Sequence, residues 1–307
     1  MRILVTGGSG MVGHALQEIL PEAKFINSEM CDLRSEVDVN WLFLNERPEQ
    51  VIHLAARVGG VKANSENLGS FYYDNIMINS NLLEASRKYK VEKVISFLST
   101  CVYPDNVTYP LTEEQIHEGP PHKSNYAYAY AKRMLDIQSQ AYRDQYGCNF
   151  ITVVPNNLFG EYDNFDLENS HLIPAIIRKI YEAKEKKHDV ILWGDGKSLR
   201  EFTYSKDLAK IVLLLMEGYN GGEPINVGNT KEYSVKEVAE TIGEIMNFDG
   251  NIVWDTSKPK GQHKKPSDNS KLLRLGWQTK NYTPFKKALK KTCQWFVKNY
   301  PNVRGIK

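Results

Sequence analysis

A serine, a tyrosine and a lysine in this chain have the types and spacing to exchange hydrogen with a carbonyl or alcohol, and a cysteine stands among them. Ser99 follows the apolar run Val94-Ile95-Ser96-Phe97-Leu98, and Tyr128-x-x-x-Lys132 lies a little further on. Four residues apart on a predicted helix, Tyr128 and Lys132 share a face. A neighbouring ammonium favours the phenolate and lowers the phenol pKa, which makes Tyr128 a proton donor or acceptor for a substrate oxygen near neutral pH. Ser99 holds the same oxygen by a hydrogen bond. Cys101 is foreign to that minimal set. In an extended segment, residues two apart point to one face, so Cys101 is expected beside Ser99, where its thiolate offers a base for proton abstraction. Each residue also has a plainer reading. The chain holds 17 tyrosines, so a Tyr-x-x-x-Lys spacing arises readily by chance. A lone cysteine after a strand commonly packs as a small apolar residue.

These residues need a frame. Apolar segments at 1–6, 24–27, 50–56, 93–98 and 149–155 read as strands, and helical patterns fall between them at about 35–46, 71–90 and 127–146. The last helix stops at Gly147. Strands alternating with helices predict an α/β fold, a Rossmann-type doubly wound parallel sheet covered on both faces. Near-continuous apolar strands agree with it. After about residue 160 the rhythm changes. A loop rich in Asp, Asn and Glu (161–170) precedes a helix from about Pro174, then come a helix at 205–219, a strand at 224–227 and a Lys-, Pro- and Gly-rich loop at 255–269. The expected division is a dinucleotide-binding domain at 1–165, to which about 204–228 returns, and a smaller C-terminal α+β substrate lobe at 166–307.

Between the first strand and the first helix stands Gly7-Gly8-Ser9-Gly10-Met11-Val12-Gly13. Missing side chains at Gly7, Gly10 and Gly13 let backbone amides approach a pyrophosphate, and the helix N-terminus favours its charge. The spacing is G-x-x-G-x-x-G rather than G-x-G-x-x-G. An NAD site places a carboxylate at the end of the second strand. Here that end reads Asn27-Ser28, with Glu29 just beyond. This favours NADPH; the alternative is that Glu29 reaches back to the ribose. Asp32 and Leu33 are expected to flank the adenine, and Asp32 could equally cap a helix.

Composition bounds the rest. The chain has 307 residues, 41% hydrophobic and 25% charged, with a net charge of +2. That charge gives no basic field for nucleic acid. The start shows no secretory leader, and the run Ile211-Val212-Leu213-Leu214-Leu215-Met216 is too short to cross a bilayer. Cys31, Cys101, Cys148 and Cys293 are scattered, without paired zinc spacing, so no metal site is expected. A reducing cytoplasm is the simplest location.

Taken together, Gly7-x-x-Gly10-x-x-Gly13, Leu54-Ala55-Ala56, Ser99 and Tyr128-x-x-x-Lys132 resemble an extended short-chain dehydrogenase/reductase, almost end to end. Within that family the resemblance is closer to the 3,5-epimerase/4-reductases of nucleotide sugars. It is carried by Leu98-Ser99-Thr100-Cys101-Val102-Tyr103-Pro104, Tyr162-Asp163-Asn164-Phe165, Ser170-His171-Leu172-Ile173-Pro174-Ala175, Trp193-Gly194-Asp195-Gly196 and Leu199-Arg200-Glu201-Phe202. The resemblance implies NADPH as cofactor and GDP-4-keto-6-deoxy-D-mannose as substrate. It implies inversion at C3 and C5 with Cys101 as base and His171 as acid, then hydride reduction at C4 to GDP-L-fucose with Tyr128 donating the proton. It also implies a cytosolic homodimer, with the helices at 71–90 and 127–146 paired across a twofold axis; the alternative for those helices is packing on their own sheet. One departure is visible: Gly160-Glu161-Tyr162-Asp163-Asn164-Phe165 stands where the family has Gly-Pro-His-Asp-Asn-Phe. Further cofactor contacts are expected at Ser9, Met11, Val12, Leu54, Ala55, Ala56, Asn75, Pro155, Asn157 and Leu158.

A diphosphate-linked sugar needs cations. Arg200 can offer a bidentate fork, and Arg178 and Lys179 follow His171 on one helix. Lys258, Lys264 and Lys265 lie on the late loop, where a solvated charged surface is the alternative. Asn157 is placed for a sugar hydroxyl or is a turn residue, and Trp193 walls the pocket or fills core. Competing functions are an NAD-dependent nucleotide-sugar 4-epimerase, a 4,6-dehydratase, and a non-catalytic dinucleotide-sensing protein. A dehydratase would carry an acidic pair where this chain has Cys101-Val102. A pure binder has no need of Ser99, Tyr128 and Lys132 together.

Overall fold

The computed structural model describes residues 1–257 and 264–306. In chain order the elements are β1 (Ile3–Thr6), α1 (Met11–Gln17), β2 (Lys24–Ile26), α2 (Glu36–Glu46), β3 (Gln50–His53), α3 (Val61–Glu66), α4 (Leu68–Lys88), β4 (Lys93–Phe97), α5 (Tyr126–Tyr146), β5 (Phe150–Pro155) and β6 (Asn157–Phe159). There follow α6 (Leu172–Lys186), β7 (Val190–Trp193), β8 (Leu199–Tyr204), α7 (Ser205–Gly218), β9 (Ile225–Val227), β10 (Glu232–Ser234), α8 (Val235–Met246), β11 (Ile252–Asp255), α9 (Ser270–Arg274) and α10 (Phe285–Asn299).

Six strands form a parallel sheet in the order β2-β1-β3-β4-β5-β9. The period of two along each strand sorts side chains to opposite faces. Leu4, Val51, Val94, Phe150 and Val154 enter one core with α2 and α4, whereas Val5, Ile52, Ile95, Ile151 and Val153 enter another with α1 and α7. Both faces are apolar, as a strand covered on both sides requires. The expected doubly wound α/β sheet is what forms. From β1 the chain passes outward to β2 and then back past β1 to β3, so the loop after β1 opens at a switch in strand order, where open α/β sheets bind ligands.

A separate core gathers α6, α8 and α10 around Phe159, Phe165, Ile177, Leu192, Phe202 and Phe296. It is backed by the three-stranded sheet β10-β8-β6 and the two-stranded sheet β11-β7. The chain re-enters the large sheet through α7 and β9, which pairs in parallel with β5.

Local chemistry explains the elements that carry the site. In α5, Ala127, Ala129 and Ala131 are buried and bring the helix close to the sheet. The helix ends at Gly147, whose φ of +70° suits the left-handed cap. In α2, Ser35 Oγ accepts from the Asp38 amide at 3.2 Å, so Ser35 rather than Asp32 is the N-cap. Among the described residues, no helix is long and apolar enough to cross a membrane.

Candidate active site

The turn after β4 organises the reactive residues. Ser99 is extended (φ −163°, ψ 156°), but Thr100–Val102 form one turn of 3-10 helix. The expectation of an extended Ser99–Cys101 segment is therefore corrected. The two side chains meet because the chain tightens, and the Cys101 thiol is hydrogen-bonded with the Ser99 side chain. Several contacts fix this turn. The Val102 amide donates to Ser99 O at 3.0 Å, Arg133 Nε of α5 donates to Val102 O at 2.7 Å, and Tyr103 Oη donates to Asn226 Oδ1 of β9 at 2.6 Å. Cys101 is 9% exposed.

Tyr128 and Lys132 share a face of α5, with Lys132 Nζ 5.9 Å from the Tyr128 ring centroid. The ammonium donates to Phe97 O, at the end of β4, at 2.7 Å. It thereby ties the helix to the strand end just before Ser99. Burial lowers Lys132 to about 8. The expected depression of the phenol pKa is not what the site produces. Burial, together with the nearby Cys101, pushes Tyr128 well above its ordinary value, because desolvation outweighs a lysine that is directed at a carbonyl. A phenol kept protonated is suited to donating its proton. Burial likewise pushes the Cys101 thiol up, against opposing contributions from the Ser99 hydrogen bond, Lys265 and Lys132.

A cavity of about 280 Å³ is lined among others by Asn157, His171, Trp193, Asp195, Ser198 and Arg200. His171 is the N-cap of α6. Its ring opens into the cleft while protein surrounds it closely, and that desolvation lowers its pKa. Trp193 is 61% exposed, so it walls the cavity and fills no core. Lys179 Nζ lies 5.7 Å from the Trp193 ring centroid and donates to Ile191 O at 3.1 Å. Asn157 Nδ2 donates to Glu201 O at 2.9 Å, and the residue lines the cavity. Ser99, Cys101, Tyr128 and Lys132 lie outside the cavity's wall. Lys265 connects the two groups, within electrostatic reach of both Cys101 and Arg200.

Some expected ligands are engaged elsewhere. Arg178 donates to Glu182 Oε1 at 2.7 Å, Phe165 O at 3.0 Å and Gly305 O at 3.2 Å. It clasps the loop before α6 to the C-terminal segment and does not line the cavity. Lys264 is exposed, whereas its neighbour Lys265 is half-buried at the site. Nothing in a Lys-Lys pair tells the two apart. The tethers that follow do, with Leu111 N donating to Pro266 O at 2.8 Å and Ser267 Oγ to Glu201 Oε2 at 2.6 Å. Lys258 lies outside the described residues.

The glycine loop has the shape a pyrophosphate needs. A Cβ on Gly13 would stand 2.5 Å from Gly8 O and 2.6 Å from Gly7 O, and one on Gly7 (φ +72°) would stand 3.0 Å from Ala55 N. No side chain fits at either place, so the β1–α1 turn packs tightly against Leu54 and Ala55 and leaves a cradle of backbone. Ser9 and Gly10 complete the turn, and Met11 and Val12 open α1. At the far end, Asn27 Oδ1 accepts from the Glu29 and Met30 amides at 3.1 Å each, closing the β2 end in a polar turn. Asp32 is gripped by Arg34 through two bonds of 2.9 and 2.8 Å, and its carboxyl is held below its usual range. Leu33 is buried in the core, so only its backbone can face an adenine. The Asn75 side chain is fully engaged, accepting from the Arg57 amide at 3.0 Å and donating to Arg57 O and Phe71 O. It shapes the segment after β3 and has no amide left for a cofactor. Pro155 is buried in β5, and Leu158 lines the cavity.

The model of the NAD dependent epimerase/dehydratase family matches residues 3–228. The GDP-L-fucose synthase of Dictyostelium discoideum is 43% identical over 98% of this chain and 97% of its own length. That of Escherichia coli K12 is 34% identical over 99% of both chains. The chain belongs to the GDP-L-fucose synthase family. A crystal structure of a GDP-L-fucose synthetase from Naegleria fowleri bound to NADP superposes with a TM-score of 0.93, at 45% identity over 99% of this chain and 94% of that one. Membership in the GDP-L-fucose synthase family bears out the resemblance read from the sequence motifs.

Proposed function

We propose that this protein is an NADP(H)-dependent epimerase-reductase that converts GDP-4-keto-6-deoxy-D-mannose to GDP-L-fucose. The observation that carries the reading is the cluster of Ser99, Cys101, Tyr128 and Lys132, joined through Lys265 to a cleft that holds His171, Trp193 and Arg200. A plain reductase has no use for the thiol and the imidazole. The solved NADP complex of a relative and the backbone cradle at Gly7 and Gly13 support NADP(H). Gly7 to Gly13 would hold the pyrophosphate, Asp32 and Leu54 to Ala56 the adenosine, and Tyr128 and Lys132 the nicotinamide end. When bound, the cofactor supplies the hydride for C4.

The chain's own residues do the rest. The ketone at C4 acidifies the protons on C3 and C5. The Cys101 thiolate takes a proton from one face, and the His171 imidazolium returns one to the other. Ser99 and Tyr128 donate hydrogen bonds to the C4 oxygen and stabilise the enolate. One carbonyl site thus serves both inversions. Between them, Cys101 must lose its proton and His171 regain one, which exposes both centres to solvent hydrogen. In the reduction Tyr128 gives its proton to the C4 oxygen. Arg200, Lys179 and Lys265 bring positive charge to the diphosphate, and Trp193 offers a face to the base. Addition of GDP-4-keto-6-deoxy-D-mannose to protein and NADPH should consume NADPH stoichiometrically. No consumption, or consumption with NADH alone, would sink the reading.

A pH dependence follows. Burial sets the Cys101 thiol above its ordinary 9.0 and the His171 imidazole below its ordinary 6.5. The resting pair is neutral thiol and neutral imidazole. The reactive thiolate–imidazolium form carries the same number of protons, so its share is constant wherever the pair holds one proton. Solvent exchange at C3 and C5 is therefore expected to be flat in the interior of the range between pH 6.5 and 9.0. Reduction should fall as Lys132 loses its charge above about 8. Exchange rates that climb about tenfold per pH unit across this range would make free thiolate limiting and remove His171 as the partner acid.

In the same reading the protein is a homodimer paired through α4 and α5. Tyr73 (61% exposed), Met134 (38%) and Ile137 (42%) leave an apolar surface on those helices. Light scattering should give the mass of two chains, and a mass of one would count against it.

A further inference from the structure

Glu161 and Tyr162, where the chain departs from the family pattern, have no part in the steps above. Their loop leaves the substrate cavity at Asn157 and Leu158 and returns to it at His171. In between, it rests on α1, the helix that opens directly from the glycine loop. Tyr162 stacks on His14, with centroids 3.8 Å apart and planes 18° from parallel. Trp295 of α10 packs on the same ring, at 4.6 Å. Glu161 is buried, accepts from Tyr204 Oη at 2.7 Å and lies 3.5 Å from Lys206 Nζ. Lys206 in turn pairs with Glu18 at 2.7 Å. His14 belongs to α1 and Glu18 is its C-cap, so the loop grips α1 at two points.

The loop has little room to slide. A Cβ on Gly160 would collide with Ser205 Oγ at the start of α7. Tyr162 holds a left-handed φ of +64°, a conformation that an aromatic residue keeps only where its surroundings fix it. The contact is thus a defined element joining two sites, the glycine loop at one end and the His171 loop at the other. Such an element can couple two sites when binding at one biases its equilibrium.

We propose that Tyr162 is a positioning residue: its stack on His14 locks the loop leading to His171 onto the helix of the glycine loop, so that cofactor binding and the placement of His171 are coupled. This rests on the NADP(H) reading above. Coupling of this kind is reciprocal in the binding free energies. An aromatic stack of this geometry predicts an effect of about three- to tenfold on cofactor affinity.

The test uses the full chain and its Tyr162→Ala and Tyr162→Phe variants. NADPH binding is followed by fluorescence titration, and amide hydrogen exchange is compared with and without NADPH. In the unaltered protein, NADPH should slow exchange along residues 161–170. Tyr162→Ala should bind NADPH about three- to tenfold more weakly and lose most of that slowing. Its kcat should fall while KM for the sugar nucleotide stays near its starting value, because Arg200 and Trp193 are untouched. Tyr162→Phe should restore all three, since the stack needs the ring and not the hydroxyl. A Tyr162→Ala protein that melts lower yet keeps full affinity and full slowing would make Tyr162 a packing residue only and overturn the proposal. If the unaltered protein fails to bind NADPH, the cofactor reading fails first, and the wild-type titration tells the two failures apart.

Discussion

Replacing Cys101 by serine is expected to lower deuterium exchange at C3 and C5 by about 10²- to 10⁴-fold, the usual contribution of a positioned general base. A serine hydroxyl keeps the size of the side chain and a hydrogen bond toward Ser99. It is far less acidic than a thiol, so no usable base remains. The fold should survive. Cys101 sits in a 3-10 turn held by Arg133, Tyr103 and Asn226, and none of those contacts uses the sulfur. NADPH affinity should also survive, because the glycine loop lies after β1 and the turn after β4. NMR of the sugar nucleotide incubated with the variant in heavy water reads the outcome. Unchanged exchange would remove Cys101 as the base and leave it a buried packing residue. His171→Asn should show a loss of similar size, and near-normal turnover would make His171 structural.

Tyr128→Phe is expected to reduce NADPH oxidation by about 10²- to 10⁴-fold while exchange at C3 and C5 falls less. The phenylalanine ring keeps the packing of α5 and its face toward Lys132 Nζ. What is lost is the proton for the C4 oxygen, and burial keeps that proton on the phenol well above neutral pH. Ser99 still donates to the enolate oxygen, so the epimerisations retain one of their two donors. The ratio of exchange to reduction should therefore rise. Parallel loss of both would mean that Tyr128 acts on the enolate alone and that another group protonates the C4 oxygen.

Much of this was legible in the chain. The parallel sheet followed from apolar strands alternating with helices, and helices expected at about 35–46, 71–90 and 127–146 form at Glu36–Glu46, Leu68–Lys88 and Tyr126–Tyr146. The pair Tyr128 and Lys132 falls on one helix, as its spacing requires. What eluded the sequence depends on contacts made at long range. The Ser99–Cys101 turn is bent by Arg133 and by Asn226, which is 123 residues from Tyr103. Arg178 reads as a phosphate ligand until the C-terminal segment arrives to accept its hydrogen bonds from 127 residues away. Asn75 reads as a cofactor amide until the backbone of Arg57 takes both of its groups. The same distance effect separates Lys265 from Lys264. Adjacent and alike in sequence, they part only when Pro266 and Ser267 are tied to Leu111 and Glu201.

The most direct test of the central claim is one incubation of the protein with NADPH and GDP-4-keto-6-deoxy-D-mannose in heavy water, with the product identified by NMR. The predicted product is GDP-L-fucose with solvent deuterium at C3 and C5 and the cofactor's hydrogen at C4. A product reduced at C4 but unexchanged and uninverted at C3 and C5 would contradict the account, for it would leave Cys101 and His171 without a reaction.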